Sequence, residues 1–144
     1  MVTNYDIETK IFRSLKAEFE KPKRPISGHT YIGGMVYNGD RPINSQGEDI
    51  TVKTIATSGD GFPQDATVNI NVYVPDVAES RNSYVRDGKR LSVLSKAVVA
   101  FIETLNYPNT ALFVETQTEI PLEAVHQHYT NIRVRIDVYE EMNQ

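Results

Sequence analysis

The stretch Thr67-Val68-Asn69-Ile70-Asn71-Val72-Tyr73-Val74 alternates strictly between polar or amphipathic side chains and β-branched apolar ones. Successive side chains of a strand point to opposite faces. Val68, Ile70, Val72 and Val74 therefore define a buried face, and Thr67, Asn69, Asn71 and Tyr73 a wet one. A strand with one wet face belongs to a sheet covered on one side only, which is the habit of antiparallel sheets. Pro75, which lacks the N–H a ladder needs, ends it.

Upstream of this strand, residues 58–63 read as a turn, and 49–57 as an amphipathic strand carrying Ile50, Val52 and Thr54. Residues 29–37 read as a further strand with Tyr31, Ile32, Met35, Val36 and Tyr37, interrupted by Gly33-Gly34, where a bulge or a close backbone approach is expected. Between these strands, residues 38–49 hold one strongly apolar side chain, Ile43, and read as a long polar loop. The chain opens with Ile7, Ile11, Leu15 and Phe19 at intervals of four, a helix over 3–20 with Thr3 and Asp6 as an N-cap pair and Pro22 and Pro25 beyond its end.

Downstream, 76–88 reads as a charged connection. A second helix begins near Asp87, with Leu91, Leu94, Val98, Phe101, Ile102 and Leu105 as its apolar stripe and Asn106-Tyr107-Pro108 as its stop. Strands follow over 111–119 and 129–140, the second turning Ile132, Val134, Ile136 and Val138 inward and Asn131, Arg133, Arg135, Asp137 and Tyr139 outward. The expected order is α-β-β-β-α-β-β. The fold class is α+β, a single domain over 1–144 in which one mostly antiparallel sheet carries two helices on one face.

A chain of 144 residues suffices for one core. With 40% hydrophobic and 24% charged residues it does not have the composition of a disordered segment. There is no cysteine, which removes disulfides, thiolate metal sites and a cysteine nucleophile, and suits a reducing cytoplasm. The longest apolar run, 97–102, is far shorter than the ~20 residues of a membrane helix, and the first residues lack the pattern of a secretory signal. A net charge of −4 argues against a broad cationic face for nucleic acid.

Residues that could carry chemistry are sparse. His126 and His128 would share a side if extended, but with only His29 as a further imidazole they are too few for a metal centre. The carboxylates Glu48-Asp49, Glu115, Glu119 and Glu140-Glu141 show no spacing that selects a catalytic pair. Gly33-Gly34 and Gly59-Asp60-Gly61 lack the context of a phosphate loop, and Ser27, Ser45 and Ser58 that of a nucleophile elbow. No catalytic, cofactor or metal site is expected, and the protein is read as a non-enzyme.

Interaction residues are easier to name. Tyr73, Arg133, Arg135 and Tyr139 share the polar side of the sheet, and Tyr and Arg are enriched where proteins meet; ordinary decoration of an exposed strand is the competing reading. Arg86 lies in the basic stretch 81–90, where a subunit-contact loop is favoured over phosphate contact because Glu79 and Asp87 dilute the charge. Residues 38–49 exceed the ~2–5 of a hairpin loop. That length suggests an assembly loop whose Arg41, Glu48 and Asp49 meet a partner.

Five features resemble the tail-terminator, or tail-completion, proteins of long-tailed bacteriophages: the helix over 5–19, the polar loop 38–49, the strand 68–74 ending in Pro75-Asp76, the helix 91–105 and the closing strand 132–139. The resemblance implies a small subunit closing into a homo-oligomeric ring, commonly a hexamer, between the tail tube and head-completion proteins. It implies a place in the virion after assembly in the host cytoplasm, and no catalytic residue, cofactor or membrane. A negatively charged ring would let DNA pass without sequence-specific binding. The rival readings are a head-completion or other connector subunit, and a small ligand-binding or enzymatic α+β domain with its pocket between the second helix and the sheet.

Overall fold

The structure is a computed structural model that describes residues 2–59 and 61–140. Met1, Asp60 of the expected turn and Glu141 of the acidic pair lie outside these residues. Helix α1 spans Asn4–Phe19. Its start is a reciprocal cap in which Asp6 N donates to Thr3 Oγ1 at 3.2 Å and Thr3 N donates to Asp6 Oδ2 at 2.8 Å, so two otherwise orphaned amides are satisfied. The four-residue spacing lines Ile7, Ile11, Leu15 and Phe19 along one buried stripe.

Strands β1 (Val36–Asn38), β2 (Ile50–Thr57), β3 (Gln64–Pro75), β6 (Thr110–Leu122) and β7 (Gln127–Val138) form one sheet in the order β1-β2-β3-β7-β6. All its pairings are antiparallel except β1 with β2. Helix α2 (Gly88–Thr104) starts at Asp87, whose Oδ1 accepts from Arg90 N at 3.1 Å. α1 lies over β1 and β2, and α2 over β3, β7 and β6. Their stripes and the inward side chains Val68, Ile70, Val72, Val74, Ile132, Val134, Ile136 and Val138 make one core. The expected α+β class, with two helices on one face of a mostly antiparallel sheet, is the architecture observed.

Four details differ. Of the expected strand 29–37 only Val36 and Tyr37 are regular, in a strand that takes in Asn38 of the expected loop, because Gly33 and Gly34 instead turn close against Glu48, the first against its side chain and the second against its backbone. The 76–88 connection contains a freestanding hairpin of β4 (Val77–Ser80) and β5 (Ser83–Val85). Its side chains are exposed without alternation, so they carry no period to read.

The third difference concerns the loop 39–49. β1 and β2 run parallel, in the register Val36↔Ile50. A parallel pair cannot be joined by a tight turn, because the chain must return the length of the strand, and about a dozen residues is the ordinary requirement. The loop's length follows from topology and no longer argues for an assembly role.

Last, Phe101 is only half-buried. Ser95 completes the buried stripe of Leu91, Leu94, Val98 and Ile102, while Phe101 rests edge-on against Phe19 with ring centroids 5.6 Å apart. Truncation of a partly exposed ring loses less than that of a core ring. Phe101→Ala is expected to cost about 2 kcal/mol, below the roughly 3–5 of a fully buried Phe, as read from urea denaturation midpoints.

Candidate functional site

The side of the sheet away from the helices is polar, and the loop 39–49 folds over one end of it. Asp49, 2% exposed, organises that loop. Its Oδ1 accepts from Met35 N at 3.0 Å, and its Oδ2 from Arg41 Nη1 at 3.1 Å and Ser45 Oγ at 2.5 Å. Arg41 also donates to Gln127 Oε1 and stacks its guanidinium 3.6 Å from the centre of the Tyr73 ring. The fully buried Gln127 returns a hydrogen bond from Nε2 to Ser45 O at 2.6 Å. A buried carboxylate persists only when its lone pairs are filled and a cation stands beside it; both conditions are met here within one chain.

The neighbouring carboxylate is held as firmly. Arg90, one turn into α2, donates to both oxygens of Glu48 at 2.7 and 2.9 Å and to Tyr31 O at 2.8 Å, and Gly33 N donates to Glu48 Oε1 at 2.9 Å. Burial pushes the Glu48 carboxyl upward, but the Arg90 hydrogen bonds, the Gly33 amide and the Arg90 charge together outweigh it and hold the group below its ordinary range. The expectation that Arg41, Glu48 and Asp49 offer charges for a partner is therefore corrected in its physics. Those charges are satisfied internally and fasten the loop to the sheet and to α2. What the loop presents outward is Ile43, which is 92% exposed.

Across the rest of the polar face, Tyr73 pairs with Tyr129 at 4.9 Å between centroids, and Asn131 Nδ2 donates to Asn71 Oδ1 at 2.8 Å. Arg135 lies over the Phe113 ring at 4.4 Å and sits 3.4 Å from Asp137 Oδ1, a contact without hydrogen-bond geometry. Asp65 is the register partner of Asp137. Burial and the facing Asp65 carboxyl raise the Asp137 pKa above its ordinary 3.8, and Arg135 offsets this only in part.

An acid whose pKa is raised by folding favours the native state below its ordinary value and loses that contribution as pH rises through the raised one. At neutral pH the charged Asp137 thus opposes folding. Asp137→Asn is expected to raise the unfolding free energy at pH 7 by about 0.2–1 kcal/mol, read from urea denaturation, the scale of a relieved like-charge cross-strand pair. The gain should vanish below pH 4.

Of the expected contact residues, Arg41, Glu48, Asp49 and Tyr73 gather at the anchored loop. Arg133 and Arg135 stand exposed on the middle of the polar face, and Tyr139, 51% exposed, lies just past the end of β7. Arg86 is elsewhere, bonded at 2.5 Å to Glu119 at the rim of a cleft of about 410 Å³ between α2 and the β6–β7 pair. At the floor of that cleft Ser95 Oγ and Thr130 Oγ1 are 2.8 Å apart. The eight residues do not converge on one site. Sequence reading missed Gln127, Ser45 and Arg90, which carry no motif and act only through the tertiary fold.

His126 and His128 do not form an extended pair. His126 takes φ 54° and stacks on Tyr84 at 3.9 Å, while His128 Nδ1 meets the buried carboxylate of Asp76 at 2.7 Å. With Asp76 N donating to His126 O at 2.8 Å, these contacts fix the base of the β4–β5 hairpin. Among the described residues no three His, Asp or Glu side chains are grouped to hold a metal ion, and no helix is long and apolar enough to cross a membrane. Comparison with protein-family models and with curated proteins gives no match.

Proposed function

We propose that this chain is a structural, non-catalytic subunit that closes into a ring with copies of itself, in the role of a tail-terminator (tail-completion) protein of a long-tailed bacteriophage. The observation that carries the reading is that the sheet ends on two unlike edges, the three-residue parallel β1, whose Val36 N is already capped by Glu20 Oε2 at 2.8 Å, and the 13-residue β6, whose outer side no other described strand covers. An open edge is a row of unpaired N–H and C=O groups that recruits another chain. Pairing β6 with β6 about a two-fold would bring acidic strands together, because Glu115 and Glu119 are its only charged residues. Contact between unlike surfaces is favoured instead, and repeated head-to-tail contact closes into a ring where the rotation between copies divides a full turn.

On this reading the tail tube and head-completion proteins occupy the two faces of a ring, a hexamer by resemblance, and the net charge of −4 keeps passing DNA from adhering. Sedimentation velocity together with electron microscopy tests it. Closed rings are expected, and a monomer at tens of micromolar overturns the reading. A head-completion or other connector subunit would also form a ring, and is separated from a tail terminator by which isolated component the ring binds, tail tubes or filled heads. The cleft between α2 and the sheet favours a third reading, a small ligand-binding domain. A monomer that retains a small molecule in native mass spectrometry would support that one.

A further inference from the structure

The β4–β5 hairpin is unexplained by the fold that carries it. β4 leaves β3 after the single residue Asp76, just past the last rung of the β3–β7 ladder, Pro75↔Gln127. The hairpin pairs with no strand of the main sheet, and its cross-strand pair Val77↔Val85 is nearly half exposed, at 47% and 44%. An isolated two-stranded hairpin is marginal in water. Here it is held near its base, by the contacts of Asp76 and Tyr84 with His126 and His128 and by the Arg86–Glu119 ion pair just past β5. Its tip carries Arg81, exposed and without an ion-pair partner among the described residues.

A second unsatisfied surface lies on the same chain. Residues 115–119 of β6, Glu-Thr-Gln-Thr-Glu, are exposed on both faces of the sheet as well as along its edge. The register shift between Val114 and Thr116 sets this segment off from the packed first part of the strand, where Leu112 and Val114 touch the core. Its charge is acidic; Glu119 is paired with Arg86 of its own chain at 2.5 Å, whereas Glu115 has, among the described residues, only a distant cation, Arg135 Nη1 at 4.0 Å.

We propose that the hairpin of one copy adds to the 115–118 edge of β6 in the next, with Arg81 of the first set against Glu115 of the second. The partner is a second copy of this chain, and the inference rests on the ring reading above, for which it supplies the contact. Strand addition satisfies backbone groups on both sides, and the opposite charges fix register and direction. The contact joins unlike surfaces, as a ring requires.

Charge reversal tests it with the full chain. Arg81→Glu and Glu115→Arg each weaken assembly by tenfold or more in sedimentation equilibrium, and the double variant Arg81→Glu/Glu115→Arg recovers most of the loss, while circular dichroism of all three matches the parent. The absence of native cysteine permits a direct second measurement. Oxidation of a mixture of Ser80→Cys and Thr116→Cys proteins should give a heterodimeric disulfide that neither yields alone. If the parent assembles but single reversals leave the association unchanged, or the double variant fails to recover, or the mixed disulfide does not form, the hairpin contact is wrong while the ring stands. A monomeric parent overturns the ring reading itself.

Discussion

Asp49→Ala is expected to lower the unfolding free energy by about 3 kcal/mol, read from urea denaturation at pH 7. The carboxylate is buried and accepts from Met35 N, Arg41 and Ser45. Its removal leaves a main-chain amide unmatched and a guanidinium that is itself only 10% exposed without its counter-charge. Breaking one side of a buried pair typically costs about 3–5 kcal/mol. Arg41 keeps Gln127 and the Tyr73 ring, which places the loss at the low end of that range. Asp49→Asn preserves shape and one acceptor and should lose about half as much, on the order of 1.5 kcal/mol. Because the pair is shielded from solvent, added salt should leave both differences nearly unchanged.

Gly34→Ala should be of similar size, about 3 kcal/mol, the upper end of overpacking. A Cβ at this position would stand 2.1 Å from Asp49 Oδ1 and 2.6 Å from the main-chain oxygen of Glu48, which is also the acceptor for Gly34 N at 2.9 Å. The side chain could move but the carbonyl cannot without breaking that bond and disturbing the Arg90 fork on Glu48. Gly33 is an internal control. Its Cβ would meet Glu48 Oε1 at an ordinary 3.5 Å, so Gly33→Ala should change stability by no more than about 0.5 kcal/mol. The double variant Gly34→Ala/Asp49→Ala should cost less than the sum of its parts, because both disrupt the same network.

The parts of this fold legible in the sequence are those with a local period. The capped helix with Ile7, Ile11, Leu15 and Phe19, the strict alternation of 67–74 and 131–138, and the stripe of α2 each announce their element. Gly33-Gly34 announced a close approach, and the Glu48 and Asp49 oxygens are what approaches. Partnership was illegible. Nothing local says that β1 runs parallel to β2, and that relation accounts for the long loop. Arg41 and Glu48 read as charges awaiting a partner because Gln127 and Arg90 are 86 and 42 residues away in sequence, and Asp49 read so although Arg41 and Ser45 lie only 8 and 4 residues from it, since nothing local says that the loop folds back on itself. The hairpin was lost for a different reason, since neither face of it is buried in this chain.

The strand order has a consequence for the time course of synthesis. β7, the last of the described strands, lies inside the sheet between β3 and β6 and not at its border. When β3 has left the ribosome, α1 and the first three strands are complete, yet one side of β3 stays bare until residues as far as Val138 emerge. At the usual elongation rate of about 5–20 residues per second, those remaining 63 residues take roughly 3–13 s. Throughout that interval the nascent chain shows an apolar strand, Val68 to Val74, with an unfilled ladder beside it, the kind of segment on which chaperones and neighbouring nascent chains act. Joining by β7 also closes a loop of more than 50 residues, so the final step carries a large entropic barrier. Maturation of this domain is therefore a late, all-at-once event, and a chain stalled before β7 would be an aggregation hazard and not a partly useful protein.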